Sequence, residues 1–326
     1  MNLEPFIDVS IGGKPVNSAF YERLVSATIH DAPGQEADNI DLKFDDEANA
    51  VALPTTGAVI TVRFGFRDGD QTTSEKMGVF TVEKTGIEGG DGGEFVSVSG
   101  RAADMRSDLK EPLSEHFDDA SLGDVVKELA GRHKLGAKVS AELESIKLPY
   151  LSRTNQSAMD FLTRLADRYG ALFSIKDQKF LFLTPGSFAP LTISKFECES
   201  WNFDIEPRPF FGTTEAGWFD RTTGKTVIES YSTALKGPSK RVRTVYSSEA
   251  EAKAAARAEG DRQARGTGSG SITLAGRPSI MADRPINTVD FRPEANGLWR
   301  CAGVDHKFDG TYMTSVSLEA PESGKE

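Results

Sequence analysis

Thr61-Val62-Arg63-Phe64, Gly78-Val79-Phe80 and Phe95-Val96-Ser97-Val98-Ser99-Gly100-Arg101-Ala102 form a series that returns in the same order near the C-terminus. The second set is Thr288-Val289-Asp290-Phe291, Gly297-Leu298-Trp299 and Met313-Thr314-Ser315-Val316-Ser317-Leu318-Glu319-Ala320. These segments largely alternate apolar with polar residues, the period of a strand that buries one face. A β unit used twice in one chain gives each copy two similar surfaces, so three copies would present six. Alternating strands also match by chance, and two unrelated antiparallel sheets would produce the same pattern. If the unit is duplicated, the Thr-Val-x-Phe segments lie on corresponding strands.

Outward from the first set, the leading hundred residues keep the strand period. Ile40, Leu42 and Phe44 alternate with Asp41 and Lys43, and Ile60, Val62, Phe64 and Phe66 alternate with Thr61, Arg63 and Gly65. Turn chemistry separates the runs at Ala32-Pro33-Gly34, Arg67-Asp68-Gly69-Asp70 and Gly89-Gly90-Asp91-Gly92-Gly93. The glycine stretch lacks the regular spacing and the following helix of a phosphate-binding loop, and it reads as a hairpin tip.

The period changes in residues 106–190. Leu122, Val125, Val126, Leu129 and Ala130 make one helical stripe, opened by Ser121 with Asp124 three residues on. Ala158, Phe161, Leu162, Leu165, Ala166 and Tyr169 make a second, opened by Ser157 and stopped by Gly170. Strand-like segments follow at 172–175 and 180–183 around a Lys176-Asp177-Gln178 turn. Two amphipathic helices are therefore expected over 121–133 and 157–169.

Beyond residue 193 the strand period returns, interrupted by an alanine-rich helix expected over about 248–265. Ser248-Glu249-Ala250-Glu251 opens that helix, and Gly266-Thr267-Gly268-Ser269-Gly270 ends it. So small an apolar face should pack close against a sheet or another chain. Asp309-Gly310 reads as a two-residue hairpin turn. Strict pairing across it puts Val304, His306, Phe308 and Met313 on one face and Cys301, Val316 and Leu318 on the other. The division expected is a first β domain at 1–105, an inserted α+β domain at 106–192 and a second β domain at 193–326.

Composition bounds the function. The 326 residues suit two or three domains. No apolar run is long enough to cross a bilayer, so stable membrane insertion is not expected. The start, Met1-Asn2-Leu3-Glu4-Pro5, lacks the basic and apolar regions of a secretory signal, so export by that route is not expected either. A formal charge of -11 argues against direct nucleic-acid binding, and Lys240-Arg241-Val242-Arg243, the basic candidate, reads as a solvated strand or loop. The two cysteines, Cys198 and Cys301, have no metal-ligand spacing around them and read as buried free thiols.

The four histidines, His30, His116, His133 and His306, fit no metal-binding spacing, and no serine sits in a nucleophile elbow. Asp118-Asp119 precedes a helix start, where carboxylates suit the helix dipole. No catalytic residue, cofactor or metal is expected. Trp201, Phe210, Phe211 and Trp218 are the candidate interface residues, although aromatics at strand spacing also build cores.

Several stretches in order resemble the late control gene D family, the baseplate hub proteins of contractile phage tails, including those of Mu-like phages. They are Ile29-His30-Asp31, residues 41–46 with Leu53-Pro54 and Gly57-Ala58-Val59, Met77-Gly78-Val79-Phe80-Thr81-Val82, and residues 119–129. Leu151-Ser152-Arg153-Thr154-Asn155-Gln156-Ser157, Phe161-Leu162-Thr163-Arg164-Leu165-Ala166, Arg208-Pro209-Phe210 with Gly212, residues 246–258 and Gly276-Arg277-Pro278 complete the series.

The resemblance implies a mainly β, α+β protein with two tail-tube-like antiparallel β-barrel domains and an inserted α+β domain. It implies a homotrimer in the virion, assembled in the host bacterial cytoplasm and joining the hexameric tail tube protein to the trimeric tail spike protein. The tape measure protein and other baseplate proteins are further partners it suggests. It carries no catalytic motif. The short acidic end, 319–326, departs from longer relatives fused to a spike, so a separate spike chain is expected. The alternatives are a cell-wall-degrading tail enzyme and a hub of a phage-derived injection or secretion machine.

Overall fold

The computed structural model describes residues 3–32, 38–69, 71–102, 108–186, 188–205, 211–233, 235–321 and 324. Strands dominate. The first part holds β1 (Glu4–Ile11), β2 (Lys14–Pro15), α1 (Ser18–Arg23), β3 (Leu24–Asp31), β4 (Asn39–Asp45), β5 (Val59–Asp68), β6 (Gln71–Gly90) and β7 (Gly93–Arg101). Their antiparallel order is β3-β4-β7-β6-β5-β1-β2. Ile40, Leu42, Phe44, Ile60, Val62, Phe64 and Phe80 form its core, as their alternation requires. The glycine stretch is the β6–β7 hairpin tip, with Gly90 opposite Gly93. Pro33, Gly34 and Asp70 lie outside the described residues.

Next come β8 (Leu113–Ser121), α2 (Leu122–Arg132), β9 (Gly136–Val139), α3 (Ala141–Glu144), β10 (Lys147–Gln156), α4 (Ala158–Tyr169), β11 (Leu172–Lys176) and β12 (Lys179–Leu183). Ser121 caps α2 in a reciprocal capping box with Asp124, Ser157 caps α4, and Gly170 ends α4 at φ 60. The two expected helices are therefore present. They bury Leu122, Val125, Val126, Leu129, Phe161, Leu162 and Leu165 in a cluster that the strands of this part complete with Phe173, Phe180 and Phe182. Asp118 and Asp119 lie within β8, three and two residues before the Ser121 cap.

The last part holds β13 (Leu191–Ser194), β14 (Cys198–Ile205), β15 (Thr213–Asp220), β16 (Lys225–Ser232), β17 (Ser239–Tyr246) and α5 (Glu249–Arg265). β18 (Gly268–Ala275), β19 (Pro285–Val289), β20 (Gly297–Phe308) and β21 (Tyr312–Glu319) follow. The small sheet β16-β15-β17 carries α5, which buries Ala252, Ala255, Ala256, Gly260 and Ala264. A side chain at Gly260 would put its Cβ 2.8 Å from the Tyr231 ring, so the close approach expected of an alanine face is real.

The other strands extend the first sheet into one path, β14-β18-β21-β20-β3-β4-β7-β6-β5-β1-β2, with β19 on β20 and β13 on β19. Among the described residues this path does not close into a barrel. It does contain the same ladder twice. β3-β4-β7-β6-β5 and β14-β18-β21-β20-β19 run in the same chain order, each pair antiparallel.

The registers also match. Val98 faces Leu42 and Thr85, as Val316 faces Ile272 and Val304. The bulge between Val82 and Lys84 recurs between Cys301 and Gly303, and that between Leu24 and Ser26 recurs between Cys198 and Ser200. Outside the strands, Ala102 N–H donates to Asp38 O and Ala320 N–H to Gly268 O, both at 2.8 Å. Gly57 N–H donates to Val82 O at 2.8 Å, and Asp283 N–H to Cys301 O at 2.9 Å. Both Gly57 and Asp283 have positive φ, 88° and 65°.

The Thr-Val-x-Phe segments do lie on corresponding strands, one residue out of step, and the last hairpin is corrected by one residue. Ile60 opposes Phe80 and Ile286 opposes Trp299, so Val62, not Thr61, corresponds to Thr288. The Thr-Val-x-Phe segments mark corresponding strands but fall out of step, with Thr61 half-buried and Thr288 buried. At the last hairpin, Phe308 pairs with Tyr312, leaving a three-residue loop with Gly310 at φ 92. The extra residue shifts the register, so Val304, His306, Tyr312, Thr314, Val316 and Leu318 share one buried face, while Met313 turns away from it.

Candidate functional site

The two ladders meet where β20 pairs antiparallel with β3. His306 opposes Ile29, Phe308 opposes Ala27 and Val304 opposes Asp31. Tyr312 crosses the junction to pack on Phe64 and Phe66, joining the core of the first ladder.

Under one end of the junction lies a buried charge cluster to which all three parts of the chain contribute. Lys176, at the end of β11, is ion-paired with Asp31 and lies 3.5 Å from Asp38. Arg300 on β20 pairs with Asp283 at 2.7 Å and with Glu319 at 3.0 Å. Burial, reinforced by the charge of Asp31, pushes the Asp38 carboxyl up to about 8. Burial alone would depress Lys176, but Asp31 and Asp38 outweigh it and raise its pKa. One cation beside two carboxylates thus keeps its proton, and Asp38 holds a proton to higher pH than an exposed carboxyl does.

Each ladder also has a strand whose edge can be compared with this junction. β20 pairs with β19 through its first residues and with β3 through its last. β6 pairs with β5 up to Thr81, and residues 85–89 have β7 on one edge only among the described residues. β14, the counterpart of β3, pairs among the described residues with β18 only. Both lone edges carry exposed hydrophobic side chains, Ile87 at 71% exposure and Trp201 at 44%.

The candidate aromatics do not converge. Trp201 stands on β14, edge-on to Phe291 with centroids 5.8 Å apart and with the Lys195 ammonium 5.2 Å from its ring. A groove of about 550 Å³ runs beside it, lined by Lys195, Phe203, Ile205, Phe291 and Arg292. Phe211 lies under the Lys240 ammonium at 5.5 Å, where the small sheet begins. Trp218 is half-buried on β15, donating its Nε1–H to Glu229 at 3.1 Å and packing beside the alanines of α5. Phe210 lies outside the described residues.

Among the described residues no group of three or more His, Cys, Asp or Glu side chains is arranged to hold a metal. His306 is buried and its Nε2 faces the Ile280 carbonyl at 3.1 Å, which fixes that nitrogen as the donor. Its Nδ1 then accepts from the Tyr312 hydroxyl at 2.8 Å. Burial lowers its pKa to about 4, so it is a neutral structural imidazole at pH 7. Burial pushes the Cys301 thiol up to about 12, far from the thiolate that reacts. Lys240 and Arg241 on β17 pair with Glu259 at 2.6 Å and Glu215 at 3.0 Å, which spends their charge locally. No helix among the described residues is long and apolar enough to cross a membrane.

The duplicated ladder with an interposed helical part has relatives. A probable baseplate hub protein of Escherichia phage 186 is 29% identical over 375 aligned residues, covering 100% of this chain and 95% of that protein. The probable baseplate hub protein of Escherichia phage P2 is 29% identical over 366 residues, covering 97% and 93%. Over nearly its whole length the chain is thus similar to proteins named as probable baseplate hubs. No family model matches it. In fold, the chain is similar to the 43 kDa tail protein of prophage MuSo2 from Shewanella oneidensis. Their TM-score is 0.72 at 16% identity, covering 99% of this chain and 100% of that one. It is also similar to an E. coli component of the type VI secretion system, with a TM-score of 0.57 at 12% identity, covering 98% and 78%.

Sequence reasoning missed the Lys176 cluster, because its members are spread from Asp31 to Glu319 and no local spacing links them. It also missed the two free edges. Ile87 and Trp201 were visible as apolar residues, but the alternation that put them on strands could not say which strand edges lack a neighbour.

Proposed function

We propose that the chain is the structural hub of a contractile phage tail baseplate, a trimer that adapts the hexameric tail tube to the trimeric central spike. The observation that carries this is the ladder repeated in register within one chain, taken together with full-length similarity to proteins named as probable baseplate hubs. A trimer of a duplicated subunit offers three-fold symmetry to a spike and six near-equivalent units to a tube, which a single-unit trimer cannot. In this proposal residues 1–105 and 193–326 supply the two tube-like units, and residues 106–192 form the inserted domain. The barrels of such units would be completed between chains.

The chain acts here without catalysis, as a joint whose partners are the spike, the tube and neighbouring baseplate proteins. Purified tails should contain it at three copies each, placed on the axis between tube and spike. Quantitative mass spectrometry and an axial image of the particle check this, and its absence from tails or a six-fold copy number would overturn it. A second setting, the hub of a phage-derived injection or secretion machine, is supported by the fold similarity to the type VI component. The genes beside this one distinguish the two.

A further inference from the structure

We propose that residues 85–89 of β6 pair antiparallel with residues 201–205 of β14 in a second copy of the chain. In the register assigned, Thr85 opposes Ile205, Ile87 opposes Phe203 and Gly89 opposes Trp201. This deepens the hub proposal and rests on its view that chains of this kind assemble through their β units.

The template lies inside the chain. β14 holds the place of β3, down to the bulge at Cys198 and Ser200, and β6 holds the place of β20, down to the bulge at Val82 and Lys84. β3 and β20 pair with each other, Asp31 to Val304, Ile29 to His306 and Ala27 to Phe308. Exchanging each residue for its counterpart in the other ladder yields the register above without adjustment.

The two counterpart edges, β6 beyond Thr81 and the outer edge of β14, have no strand beside them among the described residues. Rows of unpaired backbone donors and acceptors are a template for another strand. Directly opposed residues in an antiparallel pair point to the same face. Phe203 faces Phe291 and Trp299, so Ile87 would be covered beside them, and its 71% exposure would be removed. Where the chain's own junction sets large Phe308 against small Ala27, the new one sets small Gly89 against large Trp201. Each chain donates one edge of each kind, so the contact is head-to-tail and propagates until the rotation closes a ring.

The test uses the full chain in a Cys198→Ser background with Glu88→Cys and Asn202→Cys, two exposed positions placed opposite one another as Lys307 and Thr28 are. Mild oxidation should give a covalent species of three times the 35.3 kDa chain, while the offset pair Glu88→Cys with Ser200→Cys should stay uncrosslinked. Ile87→Arg, at a site exposed in the lone chain, should keep the melting temperature of the single subunit and abolish assembly. The pairing is refuted if the chain stays monomeric, if the offset pair crosslinks as well as the matched one, or if Ile87→Arg assembles normally. Presence of the chain in purified tails is read separately, so a failed register and a failed hub proposal give different results.

Discussion

His306 shows how one side chain can tie a local signal to a distant core. The sequence offers it as one of four histidines without metal spacing, and the structure makes it a neutral bridge between the Ile280 carbonyl and the Tyr312 hydroxyl. Its folded pKa of about 4 lies below the unfolded value of 6.5, so the unfolded chain binds the extra proton first. Its contribution is therefore present above pH 6.5 and lost as pH falls towards 4, at most about 3 kcal/mol across that window. Urea unfolding from pH 7 to pH 4 should show a shallower loss in His306→Gln than in the parent, and parallel curves would refute the assignment. Asp283 makes a second point at this scale. It holds a positive φ where the first ladder uses Gly57, and its carboxylate meets Arg300 at 2.7 Å, so a paired side chain occupies a position that glycine fills without strain.

Among the elements, α2 and α4 were legible because period and caps are local properties. Leu129 and Leu165 are fully buried, so Leu129→Asp or Leu165→Asp should cost several kcal/mol through an unpaired buried carboxylate. A parental melting temperature in either variant would contradict the packing. α5 was legible as an alanine face, and its partner was not. Gly260→Leu should destabilise by about 1–3 kcal/mol, because the added atoms meet Tyr231 and the small sheet has no room to yield. Thermal unfolding checks this, and an unchanged midpoint would show that the helix stands off. The last hairpin was misjudged from Asp309-Gly310 because turn residues announce a turn without fixing its length, and one residue moves every side chain to the other face.

At the scale of the molecule, Lys176 joins the helical part to Asp31 of the first ladder, whose other carboxylate oxygen accepts from the Ala282 N–H. Lys176→Ala would leave Asp31 without its buried cation and should cost about 3–5 kcal/mol. Differential scanning calorimetry should show a lower first transition, and an unchanged profile would mean the cluster is not a joint. Asp31→Asn in the same background should recover part of the loss, because it removes the charge left unpaired.

By itself the sequence determined the strand-rich class, the two capped helices, the alanine helix, the lack of local catalytic spacing and the order of repeated segments. These depend on period, capping and composition, which act over a few residues. Only the tertiary structure decided that the repeat holds in register with its bulges, that β20 crosses to β3 with no barrel closed among the described residues, and that Trp201 stands on a different sheet from Trp218. Those outcomes depend on which edge meets which edge across hundreds of residues. Strand alternation names the buried face of a strand, but backbone hydrogen bonds at its edges are alike in every sequence and carry no mark of their partner.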